Sequence, residues 1–536
     1  MKKIDRFYNA APKDFTDPKF LQALSFVKAK KKDYQGAIRD LTKAIKLNPK
    51  DGTAYYNRGC VKLKLNDFEG AISDFSTSLE IQPDNEKAYF NRGHAKLSIL
   101  DNPGAIEDFS VAIKLQPYDA DSFYNRGLAF NNMKDFQCAI DDFSKTIDLN
   151  PENVMAYYNR GTIHLEVQEY NSAITDLSNV IDMNPNNSFA YVNRGIAKNK
   201  LQDFEGAIVD FTTSINLLPG DALAYYNRGL AKLFLHEIQS SIVDFSQAIE
   251  IDSQDADAFL NRGRAKYDSH DYQGAIIDIT TAIELGQNDA SLYNTRGLAK
   301  LKSSDYAGAI SDFSIVIELI PSDSLLFYVR GIAKLYQREY MSAISDFSSA
   351  IDFDPANALA YNKRGLCKCY LEDYKGAFTD MSKAIELNPE DSSALTTMGT
   401  LFFIQKDFSS ALDLFEKAMI LDPEMSSSKV EIAYCYLEAG HYAKAITYFS
   451  DCLLTNNEDI EELLGLAMAF YCIDEKHEAE MYLSMAKKLM PSINDCLDGL
   501  QQFNNEGYAD TDKQKEVLKK MLHEFGDDLC PGTIEL

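Results

Sequence analysis

Apolar and polar positions along this chain follow two nested periods, and the shorter one is helical. From Gly52 onward, Tyr55, Gly59 and Lys62 fall at spacings of four and three, with Ala54, Arg58 and Val61 beside them. Ala71, Phe75, Ser78 and Ile81 then repeat that spacing. Each set marks one face of an amphipathic helix, because residues three and four apart lie above one another on a helix. Between the two sets, Asn66-Asp67 reads as a turn and a cap, with Glu69 in the first turn of the second helix. Pro83 stops that helix and Asp84-Asn85 restarts the chain. The stretch predicts a helix–turn–helix hairpin.

The longer period is 34 residues. Tyr55-Tyr56-Asn57-Arg58-Gly59 returns as Tyr89-Phe90-Asn91-Arg92-Gly93, then around Gly127, Gly161, Gly195, Gly229, Gly263, Gly297, Gly331, Gly365 and Gly399. The phase runs back to Ser25 and forward to Ala433 and Ala467, which makes 14 repeats from Pro18 to Ile493 with no insertion or deletion. A fixed period of this length is the mark of a solenoid, in which each hairpin buries its apolar face against its neighbours. The expected organisation is a lead-in over residues 1–17, an array over 18–493 and capping helices over 494–536, one of them around Asp512–Phe525. Within the array, 52–391 are near-copies and 392–493 diverge.

Small residues recur where helix axes must approach. Gly59 is one such site, and Ala71 the other, with equivalents from Ala37 to Ala479 that are broken only by Ser241. Four residues later an aromatic or aliphatic side chain, such as Phe75, Phe109, Phe143, Phe211, Phe245 or Phe313, fills the space between the two helices.

On these residues the chain resembles the tetratricopeptide repeat family, whose repeat is also 34 residues. The family's large aromatic is here Tyr55, its glycine Gly59, its alanine Ala71, its second aromatic Phe75 and its closing proline Pro83. Arg58 stands where the family has leucine, Lys62 where it has tyrosine, and tryptophan is absent. The resemblance implies an all-α, right-handed superhelical solenoid of antiparallel hairpins, with the first helix of each lining a concave groove.

Arginine holds one position of the first helix in ten repeats, from Arg58 to Arg364, and aspartate one of the second helix in eleven, from Asp40 to Asp380. Both vanish together in the last three repeats, which points to a ladder of Arg–Asp contacts. Counting leaves open whether each pair forms within a repeat or across a junction; within-repeat pairing would leave Asp40 without a partner, and next-repeat pairing would leave Asp380.

Asparagine precedes that arginine in seven consecutive repeats: Asn57, Asn91, Asn125, Asn159, Asn193, Asn227 and Asn261. An amide offers a donor and an acceptor, which suits capture of a peptide backbone whatever its sequence. Tyr56, Phe90, Tyr124, Tyr158 and Tyr226 beside them add amphipathic contact area. These twelve residues are the candidate peptide-binding set; bonding of the asparagines to adjacent helix backbone or to water is the alternative. The lysine–asparagine clamp with which some family members grip chaperone tails is absent, since its first lysine would fall at Tyr56, Phe90, Tyr124, Tyr158, Val192 or Tyr226.

The seven histidines show no ligand spacing, the nine cysteines form no CxxC pair, and no phosphate-cradling glycine loop occurs. No catalytic residue, metal site or cofactor is therefore expected. Most cysteines fall at helical positions that suit small buried thiols in a reducing compartment. No apolar run approaches the roughly 18 residues of a membrane span, and the basic start lacks the apolar stretch of a secretory signal. A cytoplasmic protein without membrane insertion is expected.

The net charge is −27, unevenly spread: residues 1–50 balance to +8 and residues 401–536 to −15. Acidity disfavours nucleic acid as ligand and suits a basic partner or head-to-tail self-association. The reading is a non-enzymatic scaffold or adaptor that holds an extended peptide segment in its groove. The alternative is an architectural or self-associating subunit using its outer face or acidic end.

Overall fold

The computed structural model describes residues 17–422, 426–453, 460–489, 516–517 and 520–521. Among these there are 28 helices and no strand. First helices begin at Pro18, Gly52, Glu86, Ala120, Val154, Ser188 and Ala222, then at Ala290, Ser324, Ala358, Ser392, Ser426 and Ile460, in step with the sequence period. Packing divides the chain into two compact bodies, Met1–Ala265 and Lys266–Leu536. Within each, a helix packs against the next in sequence, so the fold is an all-α array of antiparallel pairs. The expected lead-in lies outside the described residues up to position 16, as does most of 494–536. Of that tail, 516–517 and 520–521 are helical, and Met521 is buried in the core formed by the last repeats.

The repeat at Gly52–Leu63 and Phe68–Ile81 shows why the sequence folds this way. Asp67 caps the second helix by accepting from the Gly70 N–H at 3.0 Å. Where glutamate takes that position, at Glu169, Glu237 and Glu339, no side-chain cap bond forms, because the extra methylene moves the carboxylate off the first turn. The chain enters the cap through one left-handed residue, Asn66 at φ 59°, and bulkier side chains adopt the same turn elsewhere, as Leu100 does at φ 63°. Ala71 and Phe75 are fully buried, and Gly59 lies under the Phe75 ring: a Cβ there would stand 2.7 Å from Cε1. The same fit recurs at Gly195–Phe211 and Gly331–Phe347. The glycine is therefore a contact surface for the plug, as expected from the small-residue pattern.

Candidate functional site

The arginine–aspartate ladder forms within each repeat. Arg58 donates from Nε to Asp74 Oδ2 at 2.9 Å and from Nη2 to Oδ1 at 2.6 Å, joining the two helices of one hairpin. Such pairs run from Arg58–Asp74 to Arg228–Asp244 and from Arg296–Asp312 to Arg364–Asp380. The remaining guanidinium nitrogen reaches back across the junction, Arg58 Nη1 to Thr42 at 3.1 Å and Arg92 Nη1 to Ser76 at 3.0 Å. A Ser/Thr two residues beyond the preceding aspartate thus ties hairpin to hairpin, a row whose sequence signal is its own 34-residue return. The aspartate bond holds the Arg58 guanidinium above its ordinary range.

Lysine at the family's tyrosine position completes the clamp. Lys62 Nζ lies 2.8 Å from Asp74 Oδ2 and donates to the Gly70 carbonyl at 3.0 Å. Its equivalent Lys28 pairs with Asp40 at 2.6 Å, so the first aspartate does have a cationic partner, a lysine in place of the arginine. In one repeat Phe130 stands there and the guanidinium of Arg126 lies 5.8 Å from its ring centre. In the next, His164 does, bonded through Nδ1 to Glu169 at 2.7 Å. The guanidinium also lies over the aromatic three residues before it, 5.6 Å away at Tyr55. These groups are structural: each is turned onto its own array.

The asparagine and aromatic rows meet one another. Asn91 donates to the Tyr56 hydroxyl at 3.1 Å, Asn159 to Tyr124 at 3.1 Å, Asn193 to Tyr158 at 3.3 Å and Asn261 to Tyr226 at 3.1 Å. Each bond crosses from one first helix to the next. Where the preceding repeat offers no hydroxyl, at Phe90 and Val192, the asparagine turns back on its own helix: Asn125 bonds the Asp121 carbonyl at 2.8 Å and Asn227 that of Leu223 at 2.9 Å. All seven asparagines, including Asn57, are half-buried. The tyrosine rings sit against the core plugs, Tyr56 at 5.8 Å from Phe75 and Tyr226 at 5.9 Å from Phe245. Burial raises the phenol of Tyr56 above its ordinary range and pushes that of Tyr226 to about 12, with the Asp257 and Asp255 carboxylates adding to the latter.

Helix pairs in step with a 34-residue period are one half of the identification; family matching is the other. The tetratricopeptide repeat family matches residues 18–51, 53–85, 156–187 and 402–467. The chain is a tetratricopeptide repeat protein. No curated protein matches the sequence. Solved structures similar to it include YrrB, described as a tetratricopeptide repeat protein with an unusual peptide-binding site, at 24% identity over 34% of this chain and 95% of that one, TM-score 0.33. The Cut9–Hcn1 hetero-tetramer of the APC/C is similar at 15% identity over 97% and 99%, TM-score 0.39, and MamA from Desulfovibrio magneticus RS-1 at 22% over 32% and 96%, TM-score 0.31.

Tetratricopeptide repeat proteins mediate protein–protein interaction or assembly and are typically non-catalytic. Among the described residues of this one, no group of three or more His, Cys, Asp or Glu could hold a metal ion. No described helix is long and apolar enough to cross a membrane. Cys367, Cys435 and Cys452 are buried thiols, whereas Cys60, Cys138, Cys369 and Cys472 are half-exposed. Burial pushes the Cys367 thiol up to about 12, which keeps it protonated and unreactive at neutral pH.

Proposed function

We propose that this tetratricopeptide repeat protein is a non-catalytic scaffold whose first-helix face holds an extended segment of a partner protein, with the asparagine and tyrosine rows forming the floor of the concave groove that the family resemblance implies. The observation that carries this reading is the Tyr–Asn row itself. Each cross-repeat bond uses an amide N–H on a phenol oxygen; at Asn91 and Asn261 the amide nitrogen also reaches Cys60 Sγ at 3.8 Å and the Asp257 carbonyl at 2.8 Å, and an amide has its carbonyl to offer besides. Side chains already held in one rotamer lose less entropy when a ligand bonds to them. The acidity of the chain, −27 overall, favours a basic segment.

Asn125 and Asn227 give the cleanest test, because their amides bond within their own helices and their removal leaves the cross-repeat bonds intact. A quantitative pull-down from the native cell compares wild type with Asn57→Ala/Asn125→Ala/Asn227→Ala at matched helix content. A set of proteins lost from the variant places the client on this face. An unchanged set sinks the reading and moves attention to the outer face and the acidic end.

A further inference from the structure

One register of the first helices changes character abruptly. The Asn125–Asp121 and Asn261–Asp257 bonds, both at 2.8 Å, place the second residue of the helix one turn before the asparagine, on the same face. In three successive repeats of the first body that residue is Met155, Phe189 or Leu223, which are 52%, 58% and 51% exposed. The repeats before and after carry Asp121 and Asp257 there, both exposed. An apolar row in water, closed at both ends by carboxylates, is costly unless covered.

Next to the Asp121 end lies a cleft of about 240 Å³ lined by Glu86, Lys87, Phe90, Asp119 and Asp121, among others. It falls at one of the two junctions where the Tyr–Asn bond is missing, because Phe90 has no hydroxyl. Asp119 is partly engaged as a helix cap, accepting from the Ser122 N–H at 3.2 Å and from its hydroxyl. An aromatic face among three carboxylates and one lysine favours a cation.

Resting on the groove reading above, we infer that the partner is an extended, basic segment that seats a Lys or Arg in the Phe90 cleft and lays three apolar side chains on Met155, Phe189 and Leu223. The spacing follows from the geometry. Neighbouring helices whose side chains touch stand roughly 8–10 Å apart, and an extended chain advances roughly 3.3 Å per residue. One anchor per repeat therefore means an apolar residue at every third position. The carboxylates at the two ends select against acidic segments of the same apolar pattern.

The probe is a short fluorescent synthetic peptide with a lysine pair followed by leucine at every third position among small polar residues, titrated into the full chain by anisotropy. Wild type binds it, and Met155→Ser/Phe189→Ser/Leu223→Ser weakens binding at least about tenfold. Asp121→Asn weakens it at low salt and much less at high salt, and Ser291→Ala leaves it unchanged. Moving the leucines to every fourth position lowers affinity on wild type. Asp121, Met155, Phe189 and Leu223 are exposed and Ser291 is half-buried, so helix content is matched across all variants before binding is compared. Equal binding by wild type and the triple variant, or no binding of the probe by wild type, overturns the inference. The groove reading is judged separately by the asparagine pull-down: clients lost from the asparagine variant but kept by the triple serine variant leave the groove standing and remove this partner chemistry.

Discussion

Arg160 and Asp176 meet through two parallel hydrogen bonds, 2.8 Å from Nε and 2.7 Å from Nη2, while the third nitrogen of the same guanidinium donates to Ser144 of the preceding repeat at 2.8 Å. One side chain thus fastens the two helices of a hairpin and the hairpin to its neighbour. Arg160→Leu leaves Asp176, 3% exposed, without its bidentate partner. The expected local cost is about 2 kcal/mol, below the range for fully buried pairs because the arginine is partly exposed. Removing Asp176 as well recovers part of it. Hydrogen exchange across Val154–Met183 reads this locally, which suits a repeat array better than one global melt. Strictly additive effects would refute the coupling.

Gly59 and Phe75 are matched surfaces. Gly59→Ala gains helix propensity of about 1 kcal/mol but drives a methyl group into the Phe75 ring, at 2.7 Å. Overpacking of this kind costs about 1–3 kcal/mol, so the net change is destabilising. Phe75→Leu in the same chain should restore part of the loss, as the natural Gly161–Leu177 pairing suggests, where the nearest approach is 3.1 Å. Denaturant midpoints of the single and double variants check this, and a stable Gly59→Ala protein would contradict it.

Asn159 and Asn125 look alike in sequence and should behave differently. Asn159→Ala removes the bond to Tyr124 and is expected to cost about 1 kcal/mol, with coupling to Tyr124→Phe in a double-mutant cycle. Asn125→Ala removes a bond only to its own helix carbonyl and adds helix propensity, so its effect is close to zero or stabilising. Equal losses at both positions would mean that the cross-repeat bond is not what stabilises.

Leu100 occupies the left-handed turn between two helices at φ 63° with its side chain 75% exposed. Relief of that strain is worth roughly 1 kcal/mol, partly offset by the extra freedom of glycine in the unfolded chain. Leu100→Gly should therefore stabilise by about 0.5 kcal/mol. Gly440, at φ 80° in the corresponding turn of a later repeat, shows that the backbone accepts glycine. A lower denaturant midpoint for the variant is the outcome that rejects this.

The Tyr226 phenol has a folded pKa of about 12 against an ordinary value of 10.0. The raised value means that the unfolded chain loses this proton first as pH rises. The contribution to stability is complete below about pH 10 and is lost as pH climbs through the folded value. Ultraviolet titration of wild type against Tyr226→Phe should show one late-ionising tyrosine missing from the variant. Stability should fall with pH less steeply over that window in the variant. A wild-type titration with no late component would exclude the buried phenol.

Local structure was written plainly in the residues. The spacing of Tyr55, Gly59, Ala71 and Phe75, the Asp67 cap and the 34-residue return specify hairpins that must stack, because no single hairpin can bury its own apolar face. The Arg–Asp correlation across repeats exposed a contact. Its direction was not legible, since residues 16 apart in one repeat and residues in neighbouring hairpins give the same counts.

Packing decided what those side chains do. The sequence by itself determined an all-helical repeat array, its register, its caps and the pairing of arginine with aspartate, because each depends on short-range periodicity and helix chemistry. Only the tertiary structure decided that the pairs close within a hairpin, that Lys28 serves Asp40, and that asparagines reach the tyrosine of the repeat before. It also decided which apolar residues of the first helices stay exposed: Val192 is buried, whereas Phe189, three residues earlier on the same helix, faces water. Those outcomes depend on how far one helix stands from the next, a distance set by side chains on both and carried by no single stretch of sequence.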